Sequence, residues 1–134
     1  RLVDEPRMSA WWHVDGGRPE PLAILSEMRE LLSLRYAEAF DSIGFNLYRD
    51  GRDSVAWHGD RHRRVVVDPI VAIVSVGSPR PLRLRPRGGG TSLSWDLGDG
   101  DLFVMGGACQ HDWEHTVPKV RHAGPRLSIT FRNV

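Results

Sequence analysis

The chain has 134 residues, which is enough for a single domain with a hydrophobic core of its own. Its one cysteine, Cys109, excludes an internal disulfide, and no apolar run approaches the roughly 18 residues that a membrane-spanning helix requires. The formal net charge of +1 does not indicate a nucleic-acid partner, so any such indication must come from local clusters and motifs.

The first element that the sequence predicts is an amphipathic helix from Pro21 to Arg35. Its apolar residues recur at intervals of three and four, as they do on the buried face of a helix. They are Leu22, Leu25, Met28, Leu31 and Leu32. Proline suits the first turn of a helix, because its missing N–H would have no partner there. We expect this helix to pack on the back of a sheet.

Beyond Ala39 the pattern changes to short strands separated by turn sequences. The sequences DGRD at residues 50–53 and GDGD at residues 98–101 each predict a hairpin between the strands that flank them. The predicted strands, in chain order, are Ile43–Arg49, Val55–Asp60, Val71–Val76, Leu82–Arg85, Ser92–Leu97, Leu102–Met105, His115–Val117 and Leu127–Phe131. About eight short strands with regular turns indicate a mainly β fold with a flanking helix, either a sandwich or a jelly roll.

His58 and Asp60 form an H-x-D pair on one of these strands. Residues two positions apart on a strand point to the same face, so both side chains can reach one metal ion. Such pairs are common by chance, and a third ligand makes the pattern more specific. We choose His115, because it precedes an apolar residue and Pro118 at a predicted strand start. Two histidines and one carboxylate are the ligands of non-haem Fe(II) sites with open coordination positions.

Two arginines, Arg126 and Arg132, lie in the segment RLSITFR, an even number of positions apart on a predicted strand. They therefore point to one face, where guanidinium groups can bind carboxylates through paired hydrogen bonds. A metal site with open positions beside two arginines suits a dicarboxylate co-substrate. This combination indicates an oxygenase.

Other basic residues form two local clusters. They are Arg61, Arg63 and Arg64 after the H-x-D pair, and Arg80, Arg83, Arg85 and Arg87 in PRPLRLRPR. Clusters of this kind contact phosphates in nucleic-acid-binding proteins. They also occur as solvated arginines on exposed loops, and the sequence leaves both interpretations open.

The segments NLYRDGRDSVAWHGD, VMGGACQHDWEHTVPK and GPRLSITFR resemble the AlkB family of Fe(II)/2-oxoglutarate dioxygenases. The resemblance runs from about Phe45 to Arg132 and, more weakly, back to RMSAWW at Arg7–Trp12. It implies a double-stranded β-helix (jelly roll) and one domain over residues 1–134. Because the sequence begins without a methionine, we expect this domain to lack part of its N-terminal region.

The resemblance assigns a role to each matching position. His58, Asp60 and His115 match the catalytic iron ligands. The positions that match 2-oxoglutarate contacts are Asn46 and Tyr48 of an N-x-Y motif, Arg126 for the distal carboxylate, Ser128, and Arg132 near the other end. Ser128 stands where relatives often carry asparagine, and a hydroxyl can still donate a hydrogen bond over a shorter reach.

Substrate contacts are implied for Trp11, Trp12 and His62. The two tryptophans stand where relatives have aromatic residues that stack on the target base. One of the two could instead be a core residue. His62 stands where relatives often carry an acidic residue that faces the base, which leaves base preference open.

The implied reaction uses Fe(II), 2-oxoglutarate and O2 to demethylate N-alkylated bases, of the 1-methyladenine and 3-methylcytosine type. The products are formaldehyde, succinate and CO2. The predicted partner is DNA, with RNA as a further candidate, and the base must be single-stranded or flipped out of a duplex. We also expect a monomeric, cytoplasmic protein of bacterial type that acts at the nucleoid. Two alternatives stay open: the same chemistry on a protein, lipid or small molecule, and a metal-binding module without catalysis.

Overall fold

The computed structural model describes residues 7–19, 22–59 and 69–133. These residues form two facing β-sheets and a helix that covers one of them. The elements in chain order are β1 (Met8–His13), α1 (Ala23–Tyr36), β2 (Ser42–Tyr48), β3 (Val55–His58), β4 (Val71–Gly77), β5 (Arg80–Pro86), β6 (Leu93–Leu97), β7 (Leu102–Met105), α2 (Cys109–Asp112), β8 (Trp113–Val117) and β9 (Arg126–Arg132). Neither β1 nor α2 was predicted from the sequence.

The strands are arranged as a jelly roll. The larger sheet has the order β1-β2-β9-β4-β7 and the smaller sheet the order β3-β8-β5-β6. All the pairings are antiparallel. Consecutive strands often belong to opposite sheets, so residues distant in sequence become neighbours. The predicted fold class, mainly β with a flanking helix and a double-stranded β-helix, is confirmed.

Both predicted hairpins are wrong. β2 pairs with β1 and β9 and not with β3, and β6 and β7 belong to different sheets. The turn at residues 50–53 therefore carries the chain from the larger sheet to the smaller one. Arg80 holds this turn against the smaller sheet, because its guanidinium donates hydrogen bonds to the carbonyl oxygens of Asp50 (3.0 Å) and Asp53 (2.7 Å).

Helix α1 packs on the outer face of the larger sheet, as expected. Leu25 is buried there, and Met28 and Leu32 pack against a core that includes Ile43 and Phe131. Full burial of an aliphatic side chain contributes about 1.5–3 kcal/mol. The predicted apolar face was too wide. Leu22, at the position before the helix, is 62% exposed, and Leu31, one position before Leu32, is 66% exposed. Among the described residues, no helix has the length and apolar character needed to cross a membrane.

Strands β2 and β9 lie side by side within the larger sheet, and their side chains alternate between its two faces. The odd positions of β9, such as Ile129 and Phe131, join the core beneath α1. The even positions, such as Arg126 and Ser128, face the space between the sheets, and alternation along a strand explains the division. This inward face of polar residues forms the wall of a cleft.

Candidate metal and co-substrate site

His58 and His115 lie opposite each other on the paired strands β3 and β8. Their ring centroids are 4.2 Å apart and the ring planes are inclined by 54°. Both side chains line the cleft between the two sheets. Two imidazoles this close, at an angle to each other, are arranged so that one metal ion could bind both.

A backbone hydrogen bond orients His58. Its Nδ1 atom lies 2.7 Å from the carbonyl oxygen of Ala56, and a carbonyl can only accept, so Nδ1 must carry the proton. The lone pair is then on Nε2. Metal-binding histidines commonly have their second nitrogen held in this way, which fixes both the tautomer and the ring direction.

Asp60 and His62 lie outside the described residues, so the position of the carboxylate of the H-x-D pair is not described. Within the described ranges, no group of three histidine, cysteine, aspartate or glutamate side chains could hold a metal ion. The structure thus brings together two of the three predicted ligands. Gly59, between His58 and Asp60, also lines the cleft, and the guanidinium of Arg87 fills the space that a side chain at this position would take.

The cleft has a volume of about 360 Å³ and opens to solvent. All five residues predicted to bind 2-oxoglutarate lie on its wall, although they come from two strands far apart in sequence. They are Asn46, Tyr48, Arg126, Ser128 and Arg132. β2 and β9 pair with Asn46 opposite Ser128 and Tyr48 opposite Arg126, which places these side chains on one face.

Arg126 is a buried cation, with only 1% of its surface exposed. Its Nη2 atom donates a hydrogen bond to Ser75 Oγ at 2.7 Å, and the guanidinium lies 5.2 Å from the centre of the Tyr48 ring. Burial lowers the pKa of Arg126, while the nearby phenol of Tyr48 opposes this effect. An arginine still remains charged at neutral pH.

The buried charge of Arg126 has no counterion in the described part of the chain. None of the ion pairs there involves Arg126, and its Nε atom has no hydrogen-bond partner among the described residues. An uncompensated buried cation is unfavourable by several kcal/mol. The carboxylate of a co-substrate would relieve this cost, so the site fits an anionic ligand such as 2-oxoglutarate.

Arg7 is a residue of the site that the sequence reasoning missed. Its Nε atom donates a hydrogen bond to Asn46 Oδ1 at 2.9 Å, and its side chain lines the cleft. Ser9 and Trp11 follow it at alternate positions and line the same cleft. Alternation counted back from Trp11 was the signal that could have identified Arg7.

The sequence left open that one of the two tryptophans is a core residue, and the structure shows that this residue is Trp12. Neighbouring residues on β1 point to opposite sides of the sheet. Trp12 is 9% exposed and lies in the core beneath α1, where its Nε1 atom donates a hydrogen bond to the carbonyl oxygen of Arg18 at 2.8 Å. Trp11 is 43% exposed and lines the cleft.

The second arginine cluster is not a uniform phosphate-binding surface. Arg80 is buried and binds three backbone carbonyls. Arg85 forms an ion pair with Glu114 at 2.6 Å and lies over the ring of Trp57. Arg83 and Arg87 are the exposed members. The first cluster, Arg61, Arg63 and Arg64, lies outside the described residues.

The chain matches, over residues 12–132, the family described as the 2OG-Fe(II) oxygenase superfamily. The chain belongs to this superfamily. Its sequence relatives include the alpha-ketoglutarate-dependent dioxygenase alkB homolog 3 of Mus musculus, which is 32% identical, with 97% of this chain and 52% of the relative covered. The DNA oxidative demethylase ALKBH2 of Arabidopsis thaliana is 31% identical, with 80% of this chain and 43% of the relative covered. The resemblance to the AlkB family is therefore confirmed.

This superfamily member spans about half the length of the curated relatives that it matches. Solved structures show the same fold. OsALKBH1 superposes with a TM-score of 0.64 at 18% identity, with 90% of this chain and 68% of that one covered. A prolyl hydroxylase from Trichoplax adhaerens, in complex with a hypoxia inducible factor peptide, superposes with a TM-score of 0.67 at 15% identity, with 98% of this chain and 65% of that one covered. The superfamily name implies Fe(II) and 2-oxoglutarate, and the histidine pair and the buried Arg126 suit that chemistry.

Proposed function

We propose that this protein is an Fe(II)/2-oxoglutarate-dependent dioxygenase that demethylates N-alkylated bases in DNA, with RNA as a further substrate. One observation carries the proposal: His58 and His115 face each other in the same cleft that contains the buried charge of Arg126, which has no counterion among the described residues. A metal-binding pair and an anion-binding residue in one cavity are the two components that this chemistry requires.

His58 and His115, together with Asp60, would hold the iron. The Nδ1 hydrogen bond of His58 to Ala56 keeps its Nε2 lone pair available, so the ring does not need to reorient when a metal binds. Three protein ligands leave coordination positions open for the co-substrate and O2.

Arg126 would bind the distal carboxylate of 2-oxoglutarate. Ser75 holds one end of the guanidinium, which leaves the Nε edge available for a carboxylate oxygen. Tyr48, Asn46 and Ser128 stand beside it on the same wall and would contribute hydrogen-bonding groups. When bound, iron and 2-oxoglutarate would activate O2, the oxidant that converts an N-methyl group to formaldehyde, and 2-oxoglutarate would be oxidised to succinate and CO2.

Trp11 would stack on the target base. It is the exposed aromatic residue on the cleft wall, and stacking of a base on an aromatic ring contributes about 1–3 kcal/mol. The names of two relatives, an alkB homolog and a DNA oxidative demethylase, support a nucleic-acid substrate. Monomeric state, cytoplasmic location and the single-domain organisation stay predictions.

The test is release of formaldehyde and succinate from a single-stranded oligonucleotide that contains 1-methyladenine. The assay contains Fe(II), ascorbate and 2-oxoglutarate. We expect both products in equal amounts, and we expect His58→Ala to abolish both. His122→Ala is the matched control, because His122 is exposed in the loop between β8 and β9 and does not line the cleft.

The other outcomes separate the alternatives. Succinate without formaldehyde would contradict a base substrate and support the same chemistry on another molecule. Neither product would support a metal-binding module without catalysis, provided that calorimetry shows Mn(II) binding that is lost in His58→Ala and His115→Ala. Full turnover by His58→Ala would refute the assignment of the metal site.

A further inference from the structure

The indole of Trp11 occupies the space that a side chain at Gly44 would need. β1 and β2 pair with Trp11 directly opposite Gly44. A β-carbon added to Gly44 would lie 2.6 Å from Cη2, 2.7 Å from Cζ3 and 3.0 Å from Cζ2 of the indole. Non-bonded carbon atoms prefer separations of about 3.5–4.0 Å. The six-membered part of the ring therefore lies directly against the backbone of β2.

Arg132 contacts the same ring. The central carbon of its guanidinium lies 4.3 Å from the centre of the Trp11 ring, a distance at which a cation and an aromatic face attract each other. Arg132 is on β9, which pairs with the other edge of β2. Three adjacent strands thus supply the ring, the glycine backbone against which it lies and the cation over it, and 43% of Trp11 stays exposed.

The backbone conformation does not explain a glycine at position 44. Its φ is not among the positive values that favour glycine. Within a strand, glycine is less favourable than alanine, because it loses more conformational freedom on folding. Elsewhere on the inward face of β2, Ser42, Asn46 and Tyr48 all carry side chains. The missing side chain is therefore explained by the position of Trp11.

We propose that Gly44 is a positioning residue for substrate recognition. Its missing side chain seats Trp11 in the orientation in which the indole, held by Arg132, stacks on the substrate base. The identity of the substrate base rests on the proposed function, whereas the position of the Trp11 ring against Gly44 is a property of the free protein. The three atoms nearest to a β-carbon at position 44 all belong to the far end of one side chain, so we expect the variant to fold while the indole moves.

The experiment compares Gly44→Ala with Gly124→Ala. Gly124 also lacks a positive φ, and a β-carbon there would meet only ordinary contacts, the nearest at 3.6 Å from Ser78 Cβ. Binding of a single-stranded oligonucleotide with one 3-methylcytosine is measured by fluorescence anisotropy, with Mn(II) and 2-oxoglutarate present. We expect Gly44→Ala to weaken binding about five- to tenfold, which is the partial loss of a stacking interaction. We expect no change for Gly124→Ala.

Two further readouts exclude a purely structural effect. The near-ultraviolet circular dichroism of the free protein reports tryptophan packing, and we expect it to change in Gly44→Ala at an unchanged far-ultraviolet spectrum. In a Trp11→Ala background, adding Gly44→Ala should cause no further loss of binding. An additional loss of the same size would overturn the proposal, because Gly44 would then act independently of Trp11.

Failure of this inference differs from failure of the proposed function. A folded Gly44→Ala protein with wild-type circular dichroism and affinity would overturn the positioning role, while turnover by the wild-type protein would leave the proposed function intact. If the wild-type protein bound methylated and unmethylated oligonucleotides equally and released no formaldehyde, the proposed function and the recognition role of Gly44 would both be contradicted.

Discussion

Ser75 on β4 accepts a hydrogen bond from Arg126 on β9, with 2.7 Å between Oγ and Nη2. Both side chains are buried, and the two strands pair within the larger sheet. Since Arg126 has no counterion among the described residues, this hydroxyl is the polar group that fixes the direction of its guanidinium. Under the proposed function, Ser75 would thereby contribute to co-substrate binding without being part of any recognised motif.

Ser75→Ala should weaken binding of 2-oxoglutarate. Loss of a hydrogen bond to a charged group costs about 1.5–3 kcal/mol, so we expect the Kd to rise by roughly tenfold or more. Isothermal titration calorimetry with Mn(II), in the absence of O2, measures this affinity. Ser92→Ala is the matched control, because Ser92 Oγ accepts a hydrogen bond from Arg83 at the exposed end of the smaller sheet. An unchanged Kd in Ser75→Ala would contradict the role of Arg126.

Arg80→Ala should unfold more easily without a direct loss of nucleic-acid contacts. The guanidinium of Arg80 binds the carbonyl oxygens of Asp50, Asp53 and Pro118, and these would lose their partners. We expect a loss of about 2–4 kcal/mol in the free energy of unfolding, measured by urea denaturation.

Arg83→Ala serves as the surface control for Arg80. Arg83 is exposed and forms a hydrogen bond with Ser92, so its loss should change the free energy of unfolding by less than about 0.5 kcal/mol. Equal stability of the Arg80 and Arg83 variants, with weaker oligonucleotide binding only for Arg80→Ala, would restore the phosphate-binding interpretation of Arg80.

The elements that the sequence predicted well are those in which local pattern and tertiary environment agree. For β9 the sequence predicted which residues point to each face of the strand, because Arg126 and Arg132 alternate with apolar residues that enter the core. The hairpins could not be predicted, because a turn sequence such as that at residues 50–53 shows where the chain reverses and not which strand it then joins. β2 pairs with β1 at the start of the described chain and with β9 at its end, and β3 pairs with the late strand β8.

The same reasoning explains which site residues were found. The histidine pair and the arginines form a combination of motifs that is specific although each motif alone is not, so the sequence alone indicated them. Gly44 and Ser75 carry no such chemistry, and their roles follow from what lies across the sheet. Trp11 and Trp12 are chemically identical. Only the face of β1 to which each side chain points distinguishes the cleft residue from the core residue.

Replacing the two tryptophans should have opposite consequences. Trp12→Ala removes a large core side chain and should lower the free energy of unfolding by about 3–5 kcal/mol. Trp11→Ala should cost much less stability but weaken binding of the methylated oligonucleotide by about 1–3 kcal/mol. Urea denaturation and fluorescence anisotropy on both variants provide the comparison. Equal losses of stability would contradict the assignment of Trp12 to the core and Trp11 to the cleft.

The turn at residues 50–53, which connects the two sheets, should make the stability of the protein depend on pH. The carboxylate of Asp53 accepts hydrogen bonds from the backbone N–H of Arg49 at 2.8 Å and from its guanidinium at 2.7 and 3.1 Å. The side-chain hydrogen bond from Arg49 is the main cause that lowers the pKa of Asp53 from 3.8 to about 2. A lowered pKa means that the folded protein favours the charged carboxylate. The resulting stabilisation is complete above about pH 4 and is lost as the pH falls towards 2.

Asp53→Asn should therefore lower the melting temperature at pH 6 and have a progressively smaller effect as the pH falls from 4 towards 2. An asparagine cannot form the ion pair with Arg49, so the wild-type protein loses its advantage once Asp53 is protonated. Asp96→Asn, at an exposed position on β6, controls for the removal of one negative charge. Thermal unfolding followed by circular dichroism at a series of pH values gives the two difference curves. A destabilisation by Asp53→Asn of the same size at pH 6 and at pH 2.5 would show that the carboxylate charge does not hold this turn.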